Sequence, residues 1–461
     1  MSSHAPTIPT PGTQSLKQRV LRAGGWNFAG YGLGQVIRLG SNLIMTRLLV
    51  PEMFGVMAIA TMVTVILSML SDIGLRQNIV RSPRGDDPAF LDTAWAVQVL
   101  RGFALWLVAL GLSYALVLAN RHGMVPAGSV YASAVLPLVI AASSFATVIA
   151  GFRSTKWATA YRRFEQKRIM QIELVAQVVA IAVMVVIGVA THSIWALVAG
   201  GLLLALITTV LSHTWMSGHS NRFRWEAGAL RELFHFGKWV FVSSFVGILA
   251  ASGDRLLLGG FVDAHVLGLY AIAMLIVGAV SGGIVRLFVM VMMPALGEIA
   301  RNEPSRLREV YYRMRTPFDL LLLLLAGGLF ASGELVIDVL YDPRYSDAGG
   351  MVKVLALSLF AVRYEVANQT YLALGLPRYM AIVNGVGCVS LYTLVPLLYW
   401  LGGTPAAIWG IALHALATLP FIFYFNHRLK LNDFRRELAL LAALPAGWLC
   451  GYGLNWLTGY A

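Results

Sequence analysis

Seven ionisable side chains sit deep inside stretches that are otherwise apolar: Arg38, Arg101, Arg255, Arg286 and Arg363, with the acids Asp254 and Glu365. A charge at the bilayer centre costs about 2.5–3.5 kcal/mol on insertion scales, so each needs a partner or a task. Five cations against two acids leave a net positive interior. Arginine suits an anionic cargo because its planar fork donates two parallel hydrogen bonds to phosphate oxygens and stays charged at any relevant pH. On the first apolar stretch, Asn27, Tyr31, Gln35, Arg38 and Asn42 follow at intervals of 4, 4, 3 and 4, which puts them on one helix face. Such a polar stripe must turn toward protein or a water-filled cavity rather than lipid.

The elements that position these residues follow from composition. Of 461 residues, 58% are hydrophobic and 12% charged, against roughly 45–50% and 25% in a soluble domain. Lipid is therefore the solvent for most of the chain, and a soluble enzyme, a stapled secreted domain and a disordered protein are excluded. Cys388 and Cys450 form no disulfide framework and no metal-ligand spacing, so neither metal nor cofactor is expected. Gly30-x-Gly32-x-Gly34 lies inside a span with no strand before it, which excludes a dinucleotide fingerprint. His414, alone in an apolar stretch, reads as a packed side chain.

Thirteen stretches are long enough to span: about 25–49, 52–74, 91–118, 128–151, 169–190, 193–216, 237–262, 266–296, 317–340, 350–374, 379–401, 404–426 and 438–458. Pro445 and several glycines interrupt the last, so the side of the C-terminus stays open. Residues 1–15 read as a tail, and 16–24 as a short interfacial helix. Of the 35 Lys and Arg, 26 fall in the N-terminal segment and even-numbered loops (Lys238 counted with its loop) and two in odd loops, Arg121 and Arg344. That asymmetry places the N-terminus and the even loops in the cytoplasm. The net charge of +13 is thus a topology signal with attraction to anionic membrane lipid, not a nucleic-acid footprint. Asp72, Asp92, Glu173 and Asp319 fall at span ends and read as caps or salt bridges to basic loops.

A shift of 213 residues aligns 24–60 with 237–273 without a gap, at ten identities in 37 positions. They include Gly24/Gly237, Trp26/Trp239, Gly34/Gly247, Gly40/Gly253, Leu43/Leu256 and the run Gly55, Ala58, Ile59, Ala60 against Gly268, Ala271, Ile272, Ala273. Both copies start on the same side, so the repeat is parallel, as in transporters that handle substrate between two halves. The expectation is an all-α polytopic membrane protein of two six-helix bundles. Residues 1–24 form the cytoplasmic tail and interfacial helix, 25–216 the N-terminal lobe and 217–236 a cytoplasmic linker. Residues 237–426 form the C-terminal lobe, and 427–461 a basic loop with an extra helix. Under the offset Asn42 corresponds to Arg255, so Arg38 and Arg255 lie on equivalent faces, both lining the cleft in its half distant from the N-terminus.

The order and spacing of several short motifs resemble the polysaccharide transporter family, the lipopolysaccharide and exopolysaccharide repeat-unit flippases of the multidrug/oligosaccharidyl-lipid/polysaccharide exporter superfamily. They are Arg47-Leu-Leu-Val-Pro51-Glu-Met-Phe54-Gly55, Ser71-Asp72-Ile-Gly74-Leu75, Phe90-Leu-Asp92-Thr-Ala-Trp95, Ile194-Trp195-Ala-Leu-Val198, Gly253-Asp254-Arg255 with Leu267-Gly268-Leu-Tyr270, and Met293-Pro294-Ala295. The resemblance runs from about residue 20 to about 426. It implies two lobes in a V that open alternately to the two faces of a bacterial inner membrane. It also implies a cargo, an oligosaccharide on a polyprenyl diphosphate, moved to the periplasmic leaflet without chemistry, with a polysaccharide polymerase as partner.

On that footing Arg38 and Arg255, with Gln35 and Asn42 beside them on the stripe, either hold the diphosphate or pair with Asp254 to tie helices together. Arg286 reads as an entry contact. Arg363 either meets the cargo or satisfies Glu365 or neighbouring backbone carbonyls. Asp254 either carries a coupling proton or sodium ion or is a structural partner. A lipid II-type flippase shares the diphosphate and is the nearest alternative. A multidrug exporter calls for an acidic cleft. A membrane glycan polymerase or ligase needs extramembrane surface, whereas the longest odd loop, near 119–128, has about ten residues.

Overall fold

The computed structural model describes residues 16–70, 75–163 and 165–460. The tail 1–15 and the motif residues Ser71, Asp72 and Gly74 lie outside the described residues, as do the side chains of Asn27, Trp26, Trp239, Met293, Pro294 and Glu365. Among the described residues seventeen α-helices follow in order, joined by short connections. The first half holds α1 (Leu16–Leu48), α2 (Pro51–Leu70), α3 (Leu75–Arg81), α4 (Pro88–Arg121), α5 (Leu136–Gly151), α6 (Lys156–Arg162), α7 (Gln166–Thr191) and α8 (Trp195–Thr214). The second half holds α9 (Ala227–Phe261), α10 (Ala264–Asn302), α11 (Leu307–Leu340), α12 (Ala348–Ala356), α13 (Ser358–Ala373), α14 (Pro377–Leu413), α15 (Leu419–Arg428), α16 (Phe434–Leu441) and α17 (Ala443–Thr458).

All thirteen expected spans overlie helices. Eight helices among the described residues are long and apolar enough to cross a membrane, or nine with α5 and α6 joined across their 65° bend. The chain is a multi-pass membrane protein. The helices α1, α9 and α13, which carry Arg38, Asp254 with Arg255, and Arg363 respectively, are not among those eight. Two expectations change shape. Residues 16–24 form no separate interfacial helix but run straight into α1. Within α14, Gly403 takes φ +65°, a left-handed conformation that favours glycine. There the chain turns back on itself: Gly410 packs on Val395 and Leu398, and the Ser390 hydroxyl donates to the His414 carbonyl at 2.9 Å.

The face that carries the start of α1 is the basic face, and the face at the α1–α2 turn is the far face. At the far face residues of the first and second halves meet, several of them in pairs that the 213 offset exchanges. Glu52 and His265, which correspond under the 213 offset, bond to each other at 2.9 Å. A Cβ on Gly55 would collide with the Ala264 carbonyl, and one on Gly268 with the Pro51 carbonyl. Those pairs also exchange under the offset. The Leu49 carbonyl accepts from the Tyr345 hydroxyl at 2.9 Å, and its counterpart Val262 accepts from the Val130 N–H at 2.9 Å. Small residues let the backbones touch where lipid offers no hydrophobic drive for helix association.

The direction of the last helix answers the question left open by Pro445. Gly447 packs on Leu324 and Gly451 on Gly328, and the Asn455 amide donates to the Ala331 carbonyl at 3.0 Å. Residue numbers rise together, so α17 runs parallel to α11. Tyr460, bonded to Asp338, therefore lies at the far face, opposite the start of α1. On the basic face, loop acids act as caps and ties. Asp87 caps α4 at the Ala89 N–H, 3.0 Å away, and its bond to Arg84 holds its carboxyl below the usual carboxylate range. Asp92, buried, accepts from His219 and from the Arg222 N–H.

Candidate functional site

A cavity of about 700 Å³ lies between the far-face closure and the basic face, walled by α1, α7, α8 and α10. Close helix contacts on α1 set its frame. Gly30 lets Met170 of α7 press against the α1 backbone, and the Gln177 amide donates to the Gly34 carbonyl at 3.0 Å. Across the mouth, Gly282 of α10 makes room for the Tyr31 hydroxyl, and the Arg286 guanidinium stacks on the Tyr31 ring at 4.6 Å. Ser41 marks the deep end and Arg153, at the α5–α6 bend, the shallow end.

The lining is mixed: Tyr31, Arg38, Arg153, Glu173, Gln177 and Arg286 are polar, and Leu174, Ile181, Met184 and Leu204 are apolar. Among the lining residues three cations face one acid, a net charge of +2. Arg38 is exposed to this space, and no described side chain pairs with it. Arg153 stacks on Trp157 at 5.1 Å, and its buried Nε has no hydrogen-bond partner. Both guanidiniums sit over aromatic rings, a contact that uses none of their N–H donors in a bond to a carboxylate.

The structure brings Arg38 and Arg286 into this cavity and leaves the other expected residues outside it. Asn42 is spent on the far-face closure, where its side-chain oxygen accepts from the Tyr341 hydroxyl at 3.3 Å. Gln35 is half-buried, with an unpartnered buried oxygen, and does not line the cavity. Arg255 is half-buried and also outside it, because its level on α9 lies where the halves are closed together. Asp254 accepts from the buried Tyr270 hydroxyl of α10.

Arg363 departs furthest from the expectation. It is fully buried in a cluster away from the cavity, and its partner is Glu437 of α16. Glu437 also takes a bond from Arg315 at 2.8 Å and from the hydroxyls of Tyr312 and Tyr364 at 3.1 and 3.0 Å. Asp319 sits 2.9 Å from Arg315 within the same cluster. Arg363 thus serves as a tie between α13 and the C-terminal helices, because a carboxylate reaches it from 74 residues downstream.

Two cavity residues were missed. Arg153 reads in sequence as one more cation of a basic loop, and Glu173 as a span-end cap. The available signal was that Glu173 and Gln177 are polar at an i, i+4 spacing on an otherwise apolar helix, which puts both on one face.

Comparison with solved structures shows the same fold in several membrane proteins. An inward-facing multidrug resistance transporter of the MATE family in the MOP superfamily superposes with a TM-score of 0.66 at 11% identity, over 86% of this chain and 94% of that one. The lipid II flippase MurJ, in an inward closed conformation, gives 0.65 at 12% identity, over 94% and 93%. An outward-facing MATE transporter gives 0.55 at 12% identity, over 90% and 96%. These likenesses establish the fold. No curated protein matches the chain in sequence. The family model described as polysaccharide biosynthesis protein matches residues 44–349, about two thirds of the chain. The chain belongs to this polysaccharide biosynthesis family.

Proposed function

We propose that the protein is a flippase that moves polyprenyl-diphosphate-linked oligosaccharide repeat units across a bacterial inner membrane, for lipopolysaccharide or exopolysaccharide synthesis. The observation that carries this reading is the cavity, lined by three guanidiniums against one carboxylate and by apolar side chains as well. A diphosphate calls for paired, permanently charged donors, and a polyprenyl chain calls for an apolar surface. A multidrug exporter of cationic compounds would be poorly served by this charge.

In this reading the lobes 25–216 and 237–426 flank a V-shaped cleft and rock about the far-face contact. The basic face is cytoplasmic. The present arrangement, sealed at the far face, is the state that receives cargo. The better superposition on the inward-facing than on the outward-facing MATE structure supports that assignment. A proton or sodium gradient supplies the drive, with Asp254 as the proposed ion-coupling residue, and a polymerase takes the product.

The test is a deletion strain complemented with the wild-type chain. Loss of the gene should leave lipid-linked oligosaccharide on the cytoplasmic leaflet, and complementation should clear it. Unchanged leaflet distribution in the deletion would overturn the proposal.

A further inference from the structure

The cavity contains one acid among its lining residues, and that acid has no bonded partner. Glu173 is exposed to the cavity, and the Arg153 and Arg286 guanidiniums act on its charge. No hydrogen bond or ion pair joins it to a described residue. Its ionisable surroundings are Tyr31 and Arg38 on α1, Arg153 at the α5–α6 bend, Tyr161 on α6 and Arg286 on α10. The part of α8 that lines the cavity adds no ionisable group. The contrast with Glu437 is direct: that carboxylate is locked by two arginines and two tyrosines, whereas Glu173 is held by field alone.

An acid inside a membrane cavity needs a reason. A packing role is a poor one for a side chain that bonds to nothing described. Neutralising the cations permanently is also a poor one, because Arg153 and Arg286 rest on aromatic rings instead of on this carboxylate.

We infer that Glu173 is the resident counter-anion of the cavity, which a phosphate-bearing head group replaces, so that capture of the ligand takes up one proton. With the cavity empty, the carboxylate offsets part of the Arg153–Arg286 field. When an anionic head group enters, two like charges share one cationic site, and protonation of Glu173 relieves their repulsion. The proton comes from water at the basic face, and no covalent bond is made or broken. This inference rests on the proposed function and names the residue through which that site becomes sensitive to pH.

The sign follows from the charges. At higher pH the ionised carboxylate competes with the ligand, and as pH falls its competition ends. Binding of a sugar-free polyprenyl diphosphate to the purified full chain should therefore tighten on acidification, by at most about tenfold per pH unit for one linked proton. Ionisation of the diphosphate works in the opposite direction and is common to every variant. Glu173→Gln should bind at least as tightly as the wild type at low pH and lose the acid-side gain. Glu173→Asp, which keeps a titrating group, should retain it.

If Glu173→Gln keeps the wild-type pH slope while binding is otherwise intact, the counter-anion role is overturned and the flippase reading stands. If the wild type binds the probe at no pH, the flippase reading falls and this inference falls with it.

Discussion

Each half of the molecule carries arginines among its packed helices, and the two halves treat them in opposite ways. In the first half, Arg38 and Arg153 line a cavity, with a single unbonded acid among the lining residues. In the second, Arg315 and Arg363 are fully buried, and Asp319 and Glu437 balance them one for one, with tyrosine hydroxyls completing the carboxylate of Glu437. A charge that is matched and desolvated is a fastening, since removing one partner strands the other in a low-dielectric interior. A charge left facing a cavity keeps its affinity for something that arrives. The repeat in the sequence therefore does not imply a repeat in function. Arg286, from the second half, joins the first-half cations rather than its own half's cluster.

The comparison breaks most visibly at its fastened end. Glu437→Ala leaves Arg315 and Arg363 buried without their shared carboxylate, and the loss should be about 3–5 kcal/mol of stability. The measurement is the melting temperature of the purified protein, which should fall by several degrees. An unchanged melting temperature would mean that α16 is not held by this cluster. Arg38→Ala should behave in the opposite way, with melting unchanged and ligand binding weakened. A charge-assisted hydrogen bond contributes about 1.5–3 kcal/mol, so affinity for a polyprenyl diphosphate should drop roughly tenfold to a hundredfold. Arg255→Ala provides the internal control. In the arrangement described here it lies outside the cavity, so binding from the basic face should be far less affected than in Arg38→Ala. Equal losses in the two variants would restore the expectation of a clamp made from both halves.

The same contrast explains what the sequence could disclose. Long apolar runs are what a bilayer demands, so the positions of the spans were legible, including the separation at Gly402 and Gly403 that makes two arms of α14. The 213 offset also relates Glu52 to His265, which meet at the far face. Arg38 was legible because α1 displays it on a periodic stripe. Arg363 was misplaced because its partner lies on α16, an eight-residue helix whose docking no local period encodes. Arg153 and Glu173 were missed for a related reason. A cation at a bend and an acid one turn into a span look like loop charge and cap until α1, α7 and α10 come together. Spacing reveals which face a side chain occupies, and only packing reveals what that face meets.

Asp254 gives the smallest expected effect, and it tests whether the second half contributes chemistry as well as fastening. It resembles neither Glu437 nor Glu173. It takes a hydrogen bond from the neutral Tyr270 hydroxyl and stands next to Arg255 in sequence, outside both the buried cluster and the cavity. An asparagine at this position can still accept from Tyr270, so the fold should survive the change, and what disappears is the charge. As the proposed ion-coupling residue, Asp254→Asn should leave binding and melting close to wild type while altering the dependence of transport on an imposed proton or sodium gradient in vesicles. A gradient response identical to that of the wild type would make Asp254 a structural partner of Tyr270. The second half would then supply the fastening, and the cavity acid Glu173 would be the candidate left for coupling cargo to protons.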